Sequence, residues 1–168
     1  MKTIIALVIA IFLIIALASG GCSRKPNDGP PQVRYGQDEC ALCGMIVGDE
    51  RHAAALRAVV DGQQRDLLFD DVGDMIEYEQ ANPAATAVRR YVHDFETRQW
   101  VDAAQARFVQ DATVHTPMGS GILAFADETR ARARGKQVVQ WSALQALSTA
   151  AASGPCCDDE KDKDSAGG

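Results

Sequence analysis

Apolar and polar positions divide the chain into four stretches: an uninterrupted apolar opening, a polar spacer, a long run of short alternating segments, and a polar tail. The opening run, residues 4–18, carries no charge and follows a single Lys2. It is short for a membrane span, which needs about 20 residues. With Ser19-Gly20-Gly21 before Cys22, residues 1–21 have the build of an export signal. Residues 22–37 hold Gly29, Pro26, Pro30 and Pro31 among polar residues, the composition of a flexible tether. Residues 153–168 have too few apolar positions to pack and are expected to form a disordered acidic tail.

Between spacer and tail, residues 38–152 carry the pattern of a folded domain. Residues 52–60 are apolar and fit a strand, although their alanines are weak strand formers. Asp61-Gly62 is a hairpin turn signal, and residues 65–69 return as the second strand. Asp70-Asp71 can cap a helix whose apolar Val72, Met75, Ile76 and Tyr78 recur at helical spacing. Asn82-Pro83 stops that helix, and residues 88–95 alternate as a third strand.

The second half repeats this order of elements. Residues 100–102 and 107–110 are short strands, 115–121 a loop dense in breakers, and 122–126 an apolar strand. Asp127-Glu128 caps a short helix that ends at Gly135. Residues 138–140 form a strand and 141–150 a helix, with Leu144 and Leu147 expected inward. The fold class is α+β: two ββαβ-like units packed as one compact domain.

Composition changes this picture little. The formal net charge is −6, which counts against a nucleic-acid partner. Neither a Gly-x-Ser-x-Gly elbow, an HExxH helix nor a P-loop is present. Asp70, Asp71 and Asp74 are expected to cap the first helix and line its solvated face.

The chemistry-bearing stretch is Cys40-Ala41-Leu42-Cys43-Gly44-Met45. Two thiols three positions apart can grip a metal or close a disulfide. A thioether two residues later favours Cu(I), a soft ion, over zinc, although Met45 could equally enter the core. A second thioether, Met118, lies between Pro117 and Gly119, where the backbone must turn and a core-filling role is awkward. His115 is near enough in sequence to add an imidazole. His52 and His93 fall on expected strands and read as packing or surface residues, and Met75 as core. Five cysteines leave at least one outside any intramolecular disulfide. Small residues ending in Cys22 resemble a bacterial lipoprotein signal, with Cys22 lipidated, although Ser19 stands where that pattern usually has Leu. Cys156-Cys157 in the tail is assigned no essential role.

Taken together these fragments resemble the NosL family, lipoprotein copper chaperones of nitrous oxide reductase maturation. The resemblance rests on Cys40-x-x-Cys43-Gly44-Met45 after the lipoprotein-like signal. Phe69-Asp70-Asp71 with Asp74-Met75, Trp100-Val101-Asp102-Ala103, and Thr116-Pro117-Met118-Gly119 leading to Ala124-Phe125-Ala126 support it. It implies two ββαβ units and a periplasmic protein anchored to a bacterial membrane. It implies no enzymatic activity: the protein would bind Cu(I) and hand it to an ABC-type transporter and its periplasmic companion. Cys40, Cys43, Met45 and Met118 are the copper-ligand candidates so implied. Two other classes stay open: an extracytoplasmic thiol–disulfide oxidoreductase using Cys40 and Cys43, and a structural zinc module. The first would want its CxxC at a helix N-terminus, and the second lacks a clear second pair of ligands.

Overall fold

The computed structural model describes residues 29–152. The expected signal with Cys22, and the tail with Cys156 and Cys157, lie outside the described residues. Two antiparallel sheets and three helices make up the described part. β1 (Ala54–Val60) and β2 (Gln63–Phe69) form a hairpin, α1 (Val72–Ala81) follows, and β3 (Thr86–His93) returns beside β1. β4 (Trp100–Asp102) extends that sheet to the order β2-β1-β3-β4. The second sheet has the order β6-β5-β7, from β5 (Arg107–Gln110), β6 (Ile122–Phe125) and β7 (Val138–Val139). α2 (Glu128–Arg134) lies between β6 and β7, and α3 (Trp141–Ala152) closes the described chain. Each unit is therefore β-β-α-β, with its first strand in the middle.

Local chemistry accounts for these elements. Asp61 (φ 52°) and Gly62 (φ 74°) both take left-handed backbone, the requirement of a two-residue I′ turn, and Val60 pairs with Gln63 across it. Asp71, in extended backbone, caps α1 by accepting the Gly73 N–H at 2.8 Å. At the other end of α1, the N–H of Asn82 returns to the Tyr78 carbonyl at 2.9 Å before Pro83 forbids another turn. β1 is central and buried along most of its length. That explains its alanines: small side chains let α1 approach closely.

The main core joins both units. Leu56, Phe69, Val72, Met75, Ile76 and Val92 of the first pack in one cluster with Phe108, Ile122, Ala124, Trp141 and Leu144 of the second. Asp94, fully buried after β3, ties the units again. Its carboxylate accepts the Thr97 N–H at 2.8 Å and the Ala126 N–H at 2.7 Å from beyond β6, and Arg130 of α2 pairs with it at 3.1 Å.

Four expectations need correction. Residues 100–102 do not open the second unit. Their Val101 and Trp100 pair with Val92 and His93, so they complete the first sheet. The tether does not extend to Gln37: Pro31 is buried, Val33 and Tyr35 pack on the core, and the Gly36 N–H reaches the Val47 carbonyl at 2.9 Å. Leu144 is buried but Leu147 is 51% exposed, because only one narrow stripe of α3 meets the core. Finally, Asp70, Asp71 and Asp74 are all buried rather than solvated, because the 40–45 and 116–120 loops cover that end of α1.

Burial alone would raise the Asp94 pKa, but the N–H groups of Ala126 and Thr97, the Thr97 hydroxyl and Arg130 outweigh it and hold the carboxyl below its ordinary 3.8. A carboxyl depressed in the folded state stabilises above its unfolded pKa and loses that contribution as pH falls through the folded value. Asp94→Asn is expected to cost about 1.5–3 kcal/mol at pH 7, the loss of hydrogen bonds to a charged acceptor. Urea unfolding at pH 7 and at pH 3 and below would test this, the gap between wild type and variant narrowing as the pH drops. A gap independent of pH would mean the charge of Asp94 contributes nothing.

Candidate metal centre

The Cys40–Met45 segment folds as a tight knuckle on the edge of the first unit. The Cys40 N–H donates to the Met45 carbonyl at 2.7 Å, and the Gly44 N–H returns to the Cys40 carbonyl at 2.9 Å. Gly44 sits at φ 73°, a conformation that residues with a side chain rarely adopt. A bridge between Glu39 and Ile46 closes the base, and the Ala41 N–H donates to the Leu68 carbonyl at 2.7 Å, pinning the knuckle to β2.

This places both cysteines over the first turn of α1. The Cys40 Sγ–H donates to Asp74 Oδ2 at 3.2 Å, and Cys43 Sγ lies 3.9 Å from Asp70 Oδ1. One ligand atom from each of Cys40, Cys43, Asp70 and Asp74 falls within 4.8 Å of all the others. Among the described residues no other group of His, Cys, Asp and Glu side chains converges in this way. Both cysteines are free thiols, Cys40 buried and Cys43 exposed. The cluster is thus closed on its inner side and open at Cys43.

Its electrostatics call for a cation. Burial raises the Asp74 pKa, and neighbouring Asp70 and Asp71 add to the rise against the hydrogen bonds from Cys40 and Cys43. Asp70 Oδ2 is buried without a hydrogen-bond partner. Among the described residues no Lys or Arg forms an ion pair with Asp70 or Asp74. Burial also pushes the Cys40 thiol up to about 12, despite N–H groups of Cys43, Asp70 and Leu42 that stabilise its thiolate. A metal arriving here would displace a thiol proton and compensate the buried carboxylates together.

The two thioethers are both at the surface, Met45 50% exposed and Met118 43% exposed. Met45 thus does not enter the core. Met118 lies on the loop between β5 and β6, and its N–H donates to Asp71 Oδ2 at 3.2 Å. Its loop therefore docks on the same turn of α1 that meets the cysteines. His115 is exposed on that loop. His52 and His93 are buried packing residues. His93 accepts from the Tyr35 hydroxyl at 2.7 Å and donates through Nδ1 to the Arg98 carbonyl at 2.9 Å. Met75 is fully buried in the core.

Asp70 and Asp74 are the members of the cluster that the residue pattern did not single out as ligands. Asp70 stands just before the Asp71 cap and Asp74 in the first turn of α1. Apolar Phe69, Val72, Met75 and Ile76 around them are a signal of burial, against which stands the ordinary expectation that acids at a helix start are solvated.

Fold and site together define a small α+β domain that presents a cluster of thiol and carboxylate groups, able to hold a metal ion, at the start of a helix. The chain belongs to the NosL family, whose sequence model matches residues 33–139. It is similar to the copper-binding lipoprotein NosL of Stutzerimonas stutzeri, with 26% identity over 158 residues, covering 84% of this chain and 82% of that protein. Its fold matches the crystal structure of the copper chaperone NosL from Shewanella denitrificans with a TM-score of 0.54. The match is at 19% identity and covers 68% of this chain and 96% of that one.

The two thiols should differ sharply in reactivity. A thiol with a pKa near 12 is ionised to only about one part in 10⁴ at pH 8, and only the thiolate is nucleophilic. Limited alkylation of the metal-free, reduced protein at pH 8, followed by peptide mass spectrometry, is expected to label Cys43 well before Cys40. Equal rates would show that Cys40 is neither shielded nor held protonated.

Proposed function

We propose that this chain is a periplasmic Cu(I) chaperone, anchored to a membrane, that delivers copper for assembly of the copper centres of nitrous oxide reductase. The observation that carries the reading is the cluster of Cys40, Cys43, Asp70 and Asp74, open at the exposed Cys43. Thiolate and thioether donors suit Cu(I), and the named relatives are a copper-binding lipoprotein and a copper chaperone. Cys40 and Cys43 are the thiolate ligands, with Met45 and Met118 as thioether donors at the rim. A chaperone must let go of its cargo. A buried Cys40 holds the ion while exposed Cys43, Met45 and Met118 are replaced one at a time by an acceptor's ligands. The acceptor is the maturation machinery of the reductase, an ABC-type transporter with its periplasmic companion.

The oxidoreductase reading loses support from the geometry. The CxxC lies on a turn rather than at a helix start, and burial raises the Cys40 pKa where a redox nucleophile needs it lowered. One observation favours a second metal reading. Two sulfurs and two carboxylate oxygens make a donor set that also suits Zn(II). Competition decides between them. The reduced protein is expected to keep Cu(I) against excess Zn(II), and Met118→Leu should weaken Cu(I) binding while costing less than about 1.5 kcal/mol of stability. Displacement by equimolar zinc, with Met118→Leu indistinguishable from wild type, would establish the zinc reading instead.

Membrane attachment rests on Cys22. Cys22→Ala is expected to leave the precursor unprocessed and without lipid, seen as altered migration and loss of lipid labelling. Unchanged processing and labelling would show that the anchor is not a lipid on Cys22.

A further inference from the structure

We infer that Asp71 is a positioning residue for the copper site, clamping the Met118 loop of the second unit onto the helix turn that carries the cysteine partners of the first. The inference rests on the proposal that Met118 is a copper ligand. Asp71 is 1% exposed and lies between the units. A helix cap needs only one acceptor for the first free N–H groups, and Asp71 Oδ1 meets that need through Gly73. Three further donors come from the other unit. The Thr116 hydroxyl donates to Oδ2 at 2.6 Å, the Met118 N–H donates to Oδ2 at 3.2 Å, and the Ser120 hydroxyl donates to Oδ1. These donors are Met118 itself and the residues two before and two after it.

The loop is also stiff in its own right. The Gly119 N–H closes a turn on the Thr116 carbonyl at 3.0 Å, and the Gly121 N–H donates to Thr116 Oγ1 at 3.1 Å. It is pressed against α1: a Cβ on Gly73 would lie 2.7 Å from the Ser120 Cβ. The next residue toward the N-terminus, Asp70, faces Cys43, and Asp74 one turn on faces Cys40. One turn of helix therefore fixes where the thioether loop stands relative to the thiols, across 47 residues of sequence from Asp71 to Met118.

Asp71→Asn separates the two roles of this side chain. Asn caps helices as well as Asp does, so Oδ1 can still serve Gly73. Its amide NH₂ replaces the oxygen that faces Thr116 and Met118, setting donor against donor. The test is a double-mutant cycle on the full chain: wild type, Asp71→Asn, Met118→Leu and the double variant. Cu(I) affinity is measured by chelator competition, and sulfur number by copper-edge X-ray absorption. Asp71→Asn is expected to weaken Cu(I) by about 10–100-fold, as loss of an orienting partner does. It should remove one sulfur from the copper shell and have no further effect once Met118 is Leu. A loss that is the same in both backgrounds, or an unchanged sulfur number, would overturn the inference, since Asp71 would then act on general stability. If Met118→Leu alone changes neither affinity nor sulfur number, the ligand assignment fails first and the inference with it. Should Asp71→Asn not fold by circular dichroism, Thr116→Val, which removes the 2.6 Å donor to Asp71 together with the acceptor of the Gly121 N–H and keeps the shape, carries the same cycle with the same outcomes.

Discussion

Burying a carboxylate is costly unless hydrogen-bond donors converge on it. Asp71 meets that demand with donors from both halves of the chain, its own helix through Gly73 and the distant loop through Thr116, Met118 and Ser120. It is the docked 116–120 loop that supplies the donors for the rest of the Asp71 carboxylate and so permits its burial. One side chain therefore both caps α1 and holds the second unit against it. Asp94 repeats the device at the same end of the first sheet, just after β3, where Ala126 and Arg130 come from the second unit.

The carboxylates on either side of Asp71 in the same turn are treated differently. Asp71 is satisfied four times, whereas Asp70 keeps a buried oxygen with no partner and Asp74 faces a thiol. Satisfied, a buried acid is architecture; Asp70 and Asp74, left short of donors and with no Lys or Arg ion pair among the described residues, are able to hold a cation. Desolvation raises both Cys40 and Asp74. Burial thus disfavours the charged form of both groups, and a metal ion bound here would displace the thiol proton. The inner half of the cluster is dry and the outer half, at Cys43, is wet. That asymmetry allows tight holding together with exchange through the exposed side.

Much of the fold was legible because short-range chemistry dictates it. Asp61-Gly62 has few options besides a hairpin turn, and Asp71 before Val72, Met75 and Ile76 specifies a capped amphipathic helix. The misplacements came where two solutions are locally equivalent. Nothing within Trp100-Val101-Asp102 tells whether it pairs with β3 or opens a new sheet; the free edge of β3 decides. Leu147 sits at helical spacing from Leu144, but how wide a stripe of α3 is covered depends on its neighbours.

The site divides along the same line. Sequence alone determined that two thiols stand three positions apart with a thioether two residues on, and that a second thioether is held between Pro117 and Gly119, because these are properties of a few consecutive residues. Only the tertiary structure decided which side chains join them. Asp70 and Asp74 read as solvated acids until the 40–45 and 116–120 loops cover them. The physical reason is that solvation is not a local quantity. The same carboxylate is a surface charge or a metal donor according to whether distant segments exclude water from it, and that exclusion exists only once the two units have packed together.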